Sequence, residues 1–266
     1  MSIVKDSLGE GILYCKDTNL IYWVDINNNT IKKLDLSKTN SIQESIKIQS
    51  KPSAVISISN DHIIFLDDSG VSKLHLKDYF VEQVSVNKNL FKNTNNRSND
   101  GVLLRNKKII YGVMDHNPKH NSGGLYIYNN YDHEQFDEMG IPNLFLEIDN
   151  MILIADSFEG IIYQYDLPGL GNKQIWLDLS SHSYTPDGGC VGPDGLIYIA
   201  MWGGGFIAQY SKKAELLNKF YVSAKNPTNC AFISNNQMYI TSASDDTTLD
   251  DLEKYPESGR LIKIEI

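Results

Sequence analysis

The chain has 266 residues, a formal net charge of −9 at pH 7 and 41% hydrophobic residues. That composition can build a full core, so disorder is not expected, and an acidic chain with dispersed basic residues argues against nucleic acid as a partner. No apolar run approaches the roughly 20 residues that a membrane helix needs, and the N-terminal MSIVKDSLGEG lacks the apolar centre of a secretory signal. No membrane partner is therefore expected. Cys15, Cys190 and Cys230 are odd in number and lack metal-type spacing, which reads as free thiols of a reducing compartment, the cytoplasm.

Along the chain, short aromatic and β-branched runs recur as NLIYWVDI, HIIFLDD, KIIYGVMD, MILIADS, LIYIAMW and QMYITSAS. One anchor in each (Trp23, Phe65, Tyr111, Ile154, Ile199, Ile240) gives intervals of 42, 46, 43, 45 and 41 residues. A short strand precedes each anchor strand and another follows it after a turn. Most units add a more polar fourth strand, such as SIQESIKI, FVEQVSV, KQIWLDL or ELLNKFYV. Four antiparallel strands on such a period predict an all-β fold, a six-bladed β-propeller, with residues 1–266 as a single domain. Helical periodicity is nearly absent, and KKAELLNKF, its best candidate, falls where a fourth strand is due. The last unit ends at Ile266 on its third strand, while SIVK at residues 2–5 is a spare strand. The N-terminal strand is thus expected to complete the last blade and close the ring, hiding two sheet edges.

Eleven to thirteen residues before each anchor stand Glu10, Ser53, Asn99, Asn143, Asp187 and Asn229. All carry a polar oxygen where strand preference favours none of them. In a propeller these positions begin the innermost strands, at one end of the central channel. Hard oxygen donors gathered there suit Ca²⁺, Mg²⁺ or a similar divalent ion, and Zn²⁺ as a further choice. A water-filled channel lined by solvated strand ends would use the same residue types. The loops after the anchor strands overhang this ring, including MWGGG with Trp202 and the acidic stretch at 245–253, which is long enough to cover part of the mouth. Asp194, in the second of two Pro-Asp-Gly triplets, belongs to a turn at the far end. His116 and His120 have H-x₃-H spacing, but Pro118 between them opposes the helix that would align them. No G-x-S-x-G nucleophile elbow is present.

Several stretches together resemble the SMP-30/gluconolactonase/regucalcin-like family of six-bladed propeller sugar lactonases. They are LGEG at 8–11, YWVDI at 22–26, NRSNDG at 96–101, GVMD at 112–115, ADS at 155–157, PDGGCV at 186–191, WGGG at 202–205 and PTNCAF at 227–232. The resemblance implies a bound divalent metal, Ca²⁺ or Zn²⁺ first and Mg²⁺ or Mn²⁺ next, with Glu10, Asn143 and Asp187 as ligands. It also implies Asp187 as catalytic base or nucleophile and Arg97 and Asn99 as the pair that grips substrate hydroxyls. The family's acidic substrate contact in the third unit has no clear counterpart, and Asp115 or His116 stands nearest to it. Leu144 follows Asn143, where the family usually has glycine.

The expectation is a metal-dependent hydrolase that opens a small sugar-acid lactone. A non-catalytic calcium-binding or protein-interaction propeller is the alternative of another class, since fold alone does not imply activity. A related hydrolase of non-sugar lactones or phosphoesters is the alternative among enzymes.

Overall fold

The structure is a computed structural model that describes residues 5–39, 41–88, 90, 95–129 and 132–266. Its strands form six antiparallel sheets, each a simple meander in which consecutive strands lie side by side. Five sheets have four strands, and the sixth has three among the described residues. They are the blades of a six-bladed β-propeller, spanning 9–47, 52–86, 96–139, 142–178, 185–221 and 226–265. The stretch around KKAELLNKF does form the fourth strand of blade five, Leu216–Tyr221. One short helix that hydrophobic periodicity misses, Leu249–Lys254, lies in the loop of blade six. It is nucleated by a capping box between Thr248 and Asp251, not by an apolar face.

The alternation of apolar residues along each strand packs blade against blade. Six buried clusters occupy the six junctions of the ring. The junction of blades one and two, for example, is filled by Tyr22, Val24, Ile63, Phe65 and Leu74. Among the described residues the junction of blades six and one has the smallest buried cluster, made of Ile12, Ile21, Trp23 and Ala231. A polar clasp reinforces it. Asp6 accepts from the Trp23 indole N–H at 2.8 Å and is ion-paired with the Lys32 ammonium, both in blade one. On the other side its backbone N–H donates to Gly259 O, and its carbonyl accepts from Ser244 Oγ, both in blade six. A bridge between Leu8 and Ala243 continues the join.

Ring closure by the N-terminal segment is therefore visible at residues 6–8. The expected closing strand at residues 2–5 lies outside the described residues except for Lys5. Burial pushes the Asp6 carboxyl up to about 6 against the pull of Lys32, so desolvation takes back much of what the ion pair contributes. Removing one partner is another matter, because it strands a buried ammonium and an indole N–H. Asp6→Ala should destabilise by about 3–5 kcal/mol and lower the melting temperature by roughly 10 °C. An unchanged melting curve would show that the clasp does not hold the ring.

Candidate functional site

The first strand of each blade lines the axis. These inner strands are Gly9–Cys15, Pro52–Ile58, Asn96–Leu103, Pro142–Ile148, Thr185–Val191 and Asn226–Phe232. Each slips in register against its neighbour close to the predicted ring position. The slips lie between Glu10 and Leu13, Asn143 and Leu146, and Pro186 and Gly189, with equivalents in the other three blades. Such a bulge opposes two residues to one, bends the strand and re-aims a side chain. Gly11 and Leu144 follow Glu10 and Asn143 in left-handed conformation, with φ of +55° and +54°. Gly11 meets the requirement freely, and its backbone approaches Ala54 too closely for any Cβ. Leu144 bears a strain of about 1 kcal/mol, offset by complete burial of its side chain between blades four and five. The absence of glycine there does not disrupt the bulge.

At the ring end of the axis is a cavity of about 280 Å³ lined by Glu10, Arg97, Asn99, Asn143, Asp187 and Trp202. These are six of the eight predicted site residues. Asp115 and His116, the other two, are not part of the lining; Met114 is. Asp115 Oδ1 accepts from the Asn117 N–H, much as Asp67 and Asp156 at the same place in their blades accept from the turn N–H groups of Ser69 and Phe158. His116 lies close enough to Arg97 for that charge, added to burial, to lower its pKa. Two of the six ring positions also lie off the cavity. Ser53 bonds Ser98 Oγ at 2.7 Å, and Asn229 lines a second cavity of about 380 Å³ on the opposite side, into which all six inner strands contribute. Gly203, Gly204 and Gly205 form a tight turn with Gly203 and Gly205 at positive φ, outside the lining. Asp194 is confirmed as a turn residue, accepting from Leu196 N–H and Tyr198 O–H. His120 is exposed and paired with Glu159.

A directed chain of hydrogen bonds fixes the cavity wall. Arg97 Nη1 donates to Asn99 Oδ1 at 2.6 Å, and Asn99 Nδ2 donates to Asn143 Oδ1 at 2.8 Å and to Pro142 O at 3.0 Å. Asn143 Nδ2 then donates to Ser157 Oγ at 2.9 Å, and Ser157 donates to Pro186 O at 2.6 Å. Both amide hydrogens of Asn99 are thereby committed, so towards a ligand it can only accept. Ser157 is a site residue that sequence reasoning misses, its one signal being its place after the Ala-Asp of the blade-four anchor strand. Asp245 and Asp246, from the acidic stretch expected to overhang the mouth, do line it.

The electrostatics are those of crowded carboxylates. Burial raises both Glu10 and Asp187 well above the ordinary range; Asp187 and Asp100 raise Glu10 further, and Asp100 raises Asp187. Arg97 opposes both shifts and is itself pulled by burial down to about 10, so it stays a cation at neutral pH. Asp187 Oδ1 is buried without a hydrogen-bond partner. An orphaned carboxylate oxygen in one cavity with the half-buried carboxylate of Glu10 is what a cation would satisfy, and Glu10, Asn143 and Asp187 provide hard oxygens for it. Among the described residues no group of three or more His, Cys, Asp or Glu side chains could hold a metal ion, so amide oxygen must complete any such site.

A six-bladed propeller with an acidic, amide-rich cavity and one arginine on its axis is the class of protein that this fold and site define. The family described as SMP-30/Gluconolactonase/LRE-like region matches residues 8–244, and the chain belongs to it. The Bacillus subtilis (strain 168) protein named Putative sugar lactone lactonase YvrE is 25% identical over 97% of this chain and 91% of its own length. Regucalcin of Gallus gallus is 24% identical over 97% of this chain and 90% of its own. Among solved structures, a calcium-binding protein, regucalcin, from Agrobacterium tumefaciens str. C58 aligns with a TM-score of 0.91 at 20% identity, covering 99% of this chain and 92% of that one. At that identity the likeness carries the fold. Among the described residues no helix is long and apolar enough to cross a membrane.

Asp100 yields a measurable consequence. Burial holds its carboxyl up to about 6, against backbone N–H groups of Gly101, Leu144 and Phe145. The folded state therefore keeps a proton that the unfolded state releases near 4, and stability falls as pH rises from about 4 to about 6. Asp100's share is up to about 3 kcal/mol. In chelator-treated protein, Asp100→Asn should make the decline of melting temperature across that window shallower, whatever its effect on the absolute value. An unaltered slope would remove Asp100 as its source.

Proposed function

We propose that the protein is a lactonase that opens small, uncharged sugar-acid lactones with water and carries a divalent cation on Glu10, Asn143 and Asp187. The observation that carries this reading is the partnerless, buried Asp187 Oδ1 of a residue that lines one cavity with Glu10 and Arg97. Family membership and the lactonase and calcium-binding names of its relatives support it. The all-oxygen donor set suits Ca²⁺, Mg²⁺ or Mn²⁺ better than Zn²⁺, which favours nitrogen and sulfur. When bound, such an ion supplies Lewis-acid polarisation of a carbonyl.

In the reaction, water adds to the lactone carbonyl, the ring C–O bond breaks, and a hydroxy acid leaves. Asp187 has two oxygens and can ligate through one while the other takes the proton of the attacking water. Arg97 donates to substrate oxygens, and Asn99 holds Arg97 and Asn143 in place while accepting from a hydroxyl. Trp202 supplies an apolar wall. The three free cysteines suit a cytoplasmic setting.

Chelated protein should hydrolyse aldonolactones slowly and recover on addition of Ca²⁺, Mg²⁺, Mn²⁺ or Zn²⁺, followed by pH-stat. Asp187→Ala should lose at least about 10³ in kcat. A rise in melting temperature with Ca²⁺ but no hydrolysis of any lactone would make this a calcium-binding propeller without catalysis.

Charge sets the substrate class. Four carboxylates line the cavity (Glu10, Asp187, Asp245, Asp246) against the single guanidinium of Arg97. A divalent ion does not reverse that balance, so a phosphorylated or carboxylated lactone meets repulsion at the mouth. Exchanging Asp245 and Asp246 for Asn should raise kcat/KM for a phosphorylated aldonolactone by about threefold at low salt, with screening at high salt. Glucono-lactone turnover should change little. Equal changes for both substrates would show that the loop does not read charge.

A further inference from the structure

The second cavity, on the side of the axis away from Asp187, holds a pair of thiols that the lactonase chemistry does not use. Cys190 lies on the inner strand of blade five and Cys230 on that of blade six, 40 residues apart in sequence, with Sγ atoms 3.5 Å from each other. Both line the cavity. Cys230 is 2% exposed, while Cys190 is partly open. The two strands approach closely at this level: a Cβ on Gly188 would come within 2.3 Å of the Asn229 amide. Cys15, the third thiol, ends the inner strand of blade one and does not line the cavity.

We infer that Cys190 and Cys230 form a dithiol oxidation site, converted by a peroxide into a disulfide that staples blade five to blade six. A disulfide needs its sulfurs about 2.05 Å apart, so closure asks for roughly 1.5 Å of movement, shared between two side-chain rotations. Cys190, reached through the cavity, is the thiol that attacks. Its sulfur bonds to one peroxide oxygen as the O–O bond breaks, which gives a sulfenic acid, and the other oxygen leaves as water with the thiol proton. The Cys230 sulfur then attacks the Cys190 sulfur; hydroxide leaves and takes the Cys230 proton as a second water. Two electrons pass from the sulfur pair to the peroxide, and two waters account for its oxygens. The hydrogen bond with Cys190, together with burial, raises the Cys230 pKa well above the ordinary thiol value, which keeps it protonated until that second step.

The site is independent of the lactonase reading, and its test uses covalent chemistry. In a Cys15→Ser background, treatment with about one equivalent of hydrogen peroxide at neutral pH should reduce the reactive thiols from two to none, and the mass should fall by about 2 Da. Peptide mapping should recover a Cys190–Cys230 link. The melting temperature should rise by about 5 °C or more and return with dithiothreitol, because the bond closes a long loop. Adding Cys230→Ser should leave a sulfenic acid on Cys190 that dimedone traps, with no rise in melting temperature. Persistence of both thiols, stable oxygen adducts on Cys190 beside an intact Cys230 thiol, or a covalent dimer would each overturn the assignment.

Discussion

A propeller keeps an axis only if its ring closes, and here one buried side chain joins both sides of the closing junction. Asp6 holds the Trp23 indole and the Lys32 ammonium in blade one, while its own backbone binds blade six. Among the described residues the apolar cluster at that junction is the smallest of the six, and the polar clasp adds to what packing supplies there. Four residues further along the same segment stands Glu10, facing the cavity. The stretch of chain that locks the ring is thus the stretch that delivers the first carboxylate to the axis, and stability and site assembly are joined there by covalent proximity.

The second constraint is that like charges must share a dry space. A regular strand alternates its side chains between faces and would bring one residue per blade to the axis. Every inner strand here carries a register slip beside the ring, which frees it from strict alternation. In blade three the slip lies between the partners of Tyr111 and Val113, so Asn99 and Asp100 together oppose Gly112. One faces the ring cavity and the other lines the opposite one. The resulting crowd of carboxylates is tolerated as a protonated or cation-bound cluster and would be costly as free anions.

The periodic part of this architecture is legible in the sequence because each blade repeats the same burial problem. Trp23, Phe65 and Ile154 fall in equivalent buried places for that reason. The ring was legible only in part. Glu10, Asn99, Asn143 and Asp187 reach the cavity, whereas Ser53 is consumed by Ser98 and Asn229 faces the other way. Which polar strand-start turns inward is decided by the bulge, and a bulge leaves no fixed residue signature. Leu144 illustrates the point, since a leucine in left-handed backbone is invisible to propensity. Ser157, Asp245 and Asp246 arrive from loops whose paths depend on tertiary contact, and the Leu249–Lys254 helix depends on a cap and not on an apolar stripe.

The hydrogen-bond chain from Arg97 to Pro186 spans blades three, four and five, and every link in it points the same way. A row of donors with one direction has a fixed polarity, like a string of dipoles clamped at both ends. Its head is a permanent cation and its tail a carbonyl that can only accept, so no amide along it can turn over without leaving a neighbour unmatched. Asn143 is thereby held with its oxygen on the Arg97 side and its nitrogen on the Ser157 side. The cavity wall thus carries a fixed polarity, its sense set by chemistry before any ligand enters.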